Sequence, residues 1–195
     1  LTSLIFERVL DDAHHHEQRG KVNMIESIFF NESGSDMLRY LLRCDPQSQA
    51  LCQAMHIDES WDRSRFEQAH RFADEYAFTI DPAQTDFFAL HYHLENRHKY
   101  FLKVIENPAL MDHEGFTDLI LAMYHLWEEL DFRTDLYQLS EQDKQALCAI
   151  ISQIYRLLTH EWLLNVSYTK RHHESRFAGA VRTNPFAFFD GENRQ

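Results

Sequence analysis

Apolar residues recur at intervals of three and four along almost the whole chain, and only helices use that spacing. Between positions 83 and 106, Phe87, Leu90, His91, Leu94, His98, Phe101, Leu102 and Ile105 fall on one helical face. Further on, Leu147, Ile150, Ile151, Ile154, Leu157 and Leu158 form a stripe wide enough to be covered on more than one side, which marks a central helix. A β fold would need period two and many turns, yet the 195 residues include only five Gly and four Pro. The expected fold class is all-α, a multi-helix bundle in one domain of residues 1–195, long enough to bury a core without disulfides or metal staples.

Caps and breakers divide the chain further. A first helix is expected over 3–18, stopped at Gly20, then a short helix over 22–30. The polar run Asn31 to Asp36 reads as a turn that caps a helix over 37–44. Asp45-Pro46 opens a helix over 47–56, and Asp58 to Ser60 opens one over 61–77. Asp81-Pro82 repeats the start signal and leads into a long helix over 83–106, ended by Asn107-Pro108. Asp112 caps a second long helix over 114–132, and the capping box at Ser140 starts a third, running to about Lys170. This gives a short-helix lobe over 1–80 and a lobe of three long helices over 81–195.

The formal charge of −12 repels phosphate backbones and anionic lipid, so nucleic acid is excluded as the expected partner. Cys44, Cys52 and Cys148 are odd in number and lack CxxC spacing, as in a reducing compartment. No uncharged apolar run is long enough to span a bilayer. The apolar start Leu1 to Phe6, dropping into Glu7 and Arg8, reads either as a trimmed end or as the last turn of a membrane helix whose remainder precedes Leu1.

Thirteen histidines are the compositional anomaly. His91, Glu95 and His98 lie along one ridge of the helix expected over 83–106, an arrangement able to turn two imidazoles and a carboxylate toward one ion. Glu67-Gln68-Ala69-His70 supplies a Glu-x-x-His pair of the kind ferritin-like bundles project inward, and His125 with Glu128, or His160 beside Glu161, would add later helices. The candidate metal ligands are thus His91, Glu95, His98, Glu67 and His70, for Fe, Mn or Zn. Against this stands the plainer reading, in which these histidines are half-buried bundle residues and no cofactor is bound. Protonating all 13 would carry the charge from −12 to about +1, so pH sensing is a third reading. Nucleophile elbows, phosphate-cradling glycine loops and His-Glu-x-x-His zinc motifs are absent from the sequence, so enzymatic activity is not the expected class.

The strings Leu94-Glu95-Asn96-Arg97, Ile105 to Leu110 and His113 to Leu119, with Glu161-Trp162-Leu163 and Ala180 to Phe186, resemble the cytoplasmic portion of a group of bacterial membrane proteins related to ion channels. The likeness covers mainly the second half of the chain. It implies a non-enzymatic domain serving assembly or regulation on the cytoplasmic side of the inner membrane, as a possible homo-oligomer with a transmembrane segment upstream. It also implies a role for the tail, where Arg182, Phe186, Phe188 and Phe189 are candidate interface residues. Packing back onto the same bundle is the alternative for that tail.

Overall fold

A computed structural model describes residues 19–110 and 113–188. The helix expected over 3–18, the Leu1–Phe6 start, the Asp112 cap and Phe189 lie outside the described residues. The described residues contain helices and no strand, so the all-α expectation stands. Helix α1 covers 19–29 and passes through a π-helical segment, Phe30–Gly34, into α2, Ser35–Cys44. Then come α3 (Ser48–Ala54), α4 (Arg63–Glu75), α5 (Phe87–Glu95), α6 (His98–Ile105), α7 (Glu114–Asp131), α8 (Glu141–His172) and α9 (Glu174–Arg182). Short 3₁₀ turns stand at Pro82–Gln84, Pro108–Leu110 and Pro185–Phe188.

The long α8 is the spine. Ser140 caps it, its hydroxyl accepting from Asp143 N at 3.1 Å, and Leu147, Ile151, Ile154, Leu158, Trp162, Leu163 and Val166 along it are buried. It packs against α7, α4, α9 and α2. One apolar cluster runs from Val22 to Phe186, and each large side chain in it contributes roughly 1.5–3 kcal/mol by leaving water. Exposed ion pairs such as Arg63–Glu67 contribute about 0–1 kcal/mol, so burial holds the bundle together. No helix among the described residues is long and apolar enough to cross a membrane.

Two expectations about helix boundaries are corrected. The run Asn31 to Asp36 is not a turn, and Gly20 is not a stop: the backbone stays helical through both. Gly34 has φ −62° and ψ −40°, and a Cβ there would stand 2.6 Å from the Phe29 and Phe30 rings. The glycine serves close packing, and burial of those two rings overrides the turn preference of the polar residues around it.

The helix expected over 83–106 is in fact divided. Asp81 caps only the 3₁₀ turn, and Asp86 caps α5, its carboxylate accepting from Ala89 N at 2.9 Å. The break after Glu95 is sealed by side chains that take up the exposed carbonyls. Asn96 Nδ2 donates to Tyr92 O at 2.7 Å, and His98 Nδ1 lies 2.6 Å from Glu95 O. The Arg97 guanidinium donates at 3.1 Å to the carbonyl of Glu32, tying the break to the π-helical segment. Of the three long helices expected after residue 81, those over 114–132 and 141–170 are present as α7 and α8.

Candidate metal centre

His91 and Glu95 are one turn apart on α5, and α5 packs against α7. That contact brings up Asp131, the last residue of α7. His91 Nε2 stands 3.2 Å from Asp131 Oδ1, and one ligand atom each from His91, Glu95 and Asp131 lie within 4.8 Å of one another. The His91 side chain is 22% exposed and that of Asp131 53%, so the group sits at the rim of the bundle with its imidazole partly sheltered. One imidazole and two carboxylates form a donor set that suits divalent Zn, Fe or Mn, with positions left over for water.

Glu95 is held in place. Trp127 Nε1, one turn before Asp131 on α7, donates to Glu95 Oε2 at 2.6 Å. A carboxylate has two oxygens, so this bond orients Glu95 and leaves it able to ligate, as hydrogen bonds from outside a metal site commonly do.

His98 does not join the group, although it was expected beside His91. The break after Glu95 turns its ring flat against Trp127, 4.3 Å between centroids and 6° between planes, with Nδ1 aimed at the Glu95 carbonyl. The structure does not bring Glu67 and His70 to His91 either. They lie on α4, which packs on α8, and Glu67 pairs with Arg63 at 2.8 Å. His70 shares its surroundings with His160 and Asp74; burial pushes both imidazoles below their ordinary range, while the Asp74 carboxylate pulls each the other way. His125 pairs with Glu128 at 3.1 Å in a groove between α7 and α8 lined by Ala122, Phe132 and Ile150. Glu161 is buried away from solvent and faces Asp118.

The tail residues separate as well. Phe186 is 1% exposed and meets the Trp162 ring edge-on at 4.8 Å, so it serves the core of its own chain. Arg182 is exposed at the end of α9, and the side chain of Phe188 lies outside the described residues.

Sequence reasoning missed Asp131 and Trp127. One signal was available for the first: Asp131 is an acidic residue at the C-terminal end of its helix, where the macrodipole disfavours negative charge.

A protein-family model described as the C-terminal helical domain of uncharacterized protein MJ1433 matches residues 18–182. A curated protein named "Uncharacterized protein MJ1433", from Methanocaldococcus jannaschii, is 32% identical over 186 residues, which span 95% of this chain and 74% of that protein. That relative is archaeal, whereas the short-string resemblance pointed to bacteria. No solved structure matches the chain.

Proposed function

The chain belongs to the MJ1433 C-terminal helical domain family, and for this member we propose a non-enzymatic regulatory domain whose ligand is a divalent transition metal held by His91, Glu95 and Asp131. The observation that carries the reading is the convergence of three donor groups from two helices, one of them already oriented by Trp127. A metal there would join the end of α5 to the end of α7, next to the break at Asn96 and Arg97. Binding would stiffen that junction, because a ligand that prefers one arrangement draws the population toward it.

The test is metal titration of protein purified without a metal-affinity step, with His91→Ala and Asp131→Ala beside the parent. The expected result is one equivalent of Zn or Mn bound by the parent and lost in both variants. Thirteen histidines can bind metal adventitiously, so binding that survives both substitutions sinks the reading.

A second reading, assembly with another copy of the chain, draws on the aromatic surface beside the site. Phe88 and Tyr137 stack at 5.3 Å while remaining 48% and 76% exposed, and Tyr92, one turn beyond Phe88, is 65% exposed. Light scattering of the parent and of Tyr92→Ser decides it: a monomeric parent at high concentration removes this reading and leaves the metal proposal intact.

A further inference from the structure

The inner face of α1 is half polar, which a helix held by apolar packing alone would not require. Val22, Asn23, Glu26 and Phe29 follow one another at helical spacing and are all buried, with Glu26 only 7% exposed. Phe29 anchors the C-terminal end of the helix, its ring 5.4 Å from that of Phe116 on α7. The first turns of α1 are fastened instead by Asn165 of α8. The Asn165 amide nitrogen stands 3.3 Å from Asn23 O, 3.3 Å from Glu26 Oε2 and 3.2 Å from Ser27 Oγ, and Asn23 Nδ2 reaches back to Asn165 O at 3.5 Å.

One turn before Asn165 on α8 stands Glu161, also 7% exposed. Its carboxylate lies over Gly115 of α7, where an added Cβ would collide with it. Two buried carboxyl groups therefore face the same contact from α1 and α8. Among the described residues, the charged groups that act most on them are acidic as well: Glu161 acts on Glu26, and Asp118 of α7 acts on Glu161. On α1 itself Lys21 is exposed, on the solvent side of the helix.

We propose that Glu26 and Glu161 form a proton-held clasp, closing the first turns of α1 onto α7 and α8 while they carry protons and releasing them as both ionise. Neutral carboxyl groups can share this contact at low cost. Two carboxylates there repel each other across little water, and Asp118 adds to the repulsion. Phe29 keeps its place, so α1 swings from that anchor and the rest of the bundle stays folded. Burial, with the neighbouring acids, pushes Glu26 up to about 8 and Glu161 up to about 7. An acid whose pKa is raised in the folded state stabilises the fold fully below its unfolded value, and that stability is lost as pH rises through the folded value. The clasp thus holds fully in acid and weakens progressively as pH rises from about 4.5 to about 7–8, where the loss is complete. It lies on α1, α7 and α8 and is independent of the metal proposal.

The experiment is residue-resolved amide exchange at several values between pH 6 and pH 9, corrected for the chemical exchange rate, with α2 as internal reference. Protection of residues 21–28 should fall at least tenfold relative to α2 across that range. The Glu26→Gln, Glu161→Gln double variant, neutral at both positions, should hold its protection at every pH. Carbon-13 titration of the glutamate carboxyls in the unmodified chain gives a readout that needs no variant. Constant α1 protection in the parent, the same fall in the double variant, or Glu26 and Glu161 titrating with ordinary surface glutamates would each overturn the proposal.

Discussion

Trp127 Nε1 donates to Glu95 Oε2 at 2.6 Å while the face of the same indole carries the stacked ring of His98, 4.3 Å away. One α7 side chain thus orients the carboxylate that points toward His91 and occupies the histidine that does not. Trp127→Phe keeps an aromatic face for His98 and deletes the N–H. The expected outcome is metal affinity lower by about tenfold to a hundredfold, the usual loss when a positioning hydrogen bond to a ligand is removed. Calorimetric titration with Zn measures it, beside circular dichroism to show that helix content is kept. Unchanged affinity would mean that Glu95 needs no such orientation.

The fold class was legible because burial periodicity is a sum over many residues, and α7 and α8 carry it over 18 and 32 residues. The break after Glu95 was not legible, because the apolar spacing continues across it. Arg97 ties it to the Glu32 carbonyl, 65 positions earlier, and no local pattern encodes that contact. The candidate site divides along the same line. His91 and Glu95 are neighbours on one helix and could be read directly, whereas Asp131 joins them only through the packing of α5 on α7. His98 was placed beside His91 on the assumption of an unbroken helix, and the break removed it.

Acid should loosen the contact between the π-helical segment and α5. His93 is half-buried there, with Nε2 3.4 Å from Ser33 Oγ, and burial, with the Arg97 charge beside it, pushes its pKa down from 6.5 to about 4. A base whose pKa is lowered by folding contributes stability that is present above the unfolded value. That contribution is lost as pH falls from about 6.5 toward about 4. Urea unfolding at pH 7, 6, 5 and 4.5 should show the parent weakening more steeply than His93→Gln, which has nothing to protonate. Parallel pH profiles would remove His93 as the cause.

Gly34 should resist even the smallest addition. A Cβ at this position would lie 2.6 Å from Phe29 Cε1 and from Phe30 Cδ1, and both rings belong to the buried core. Gly34→Ala normally favours a helix, so propensity and packing make opposite predictions. Packing should win, with a loss of about 1–3 kcal/mol from displaced rings. Chemical denaturation decides the sign; a stabilised variant would show that the two rings move aside freely.

Asn184 separates the two roles considered for the tail. It is 1% exposed, its Nδ2 donates to Met55 O at 3.0 Å, and its Oδ1 accepts from Phe186 N at 2.9 Å. Asn184→Ala leaves the Phe186 amide without its partner, a cost of about 1–3 kcal/mol if it stays buried, while the Met55 carbonyl keeps its bond from Ile57 N. Loosening Phe186 would also disturb its edge contact with Trp162, the residue after Glu161 on α8. Arg182→Ala, at an exposed position, should change stability by no more than about 0.5 kcal/mol. Thermal unfolding and light scattering of both variants distinguish the roles. A tail that serves its own bundle gives a strongly destabilised Asn184 variant and an unaffected Arg182 variant. A tail that serves assembly gives an Asn184 variant of little changed stability and an Arg182→Ala variant of altered oligomeric state with its unfolding midpoint where it was.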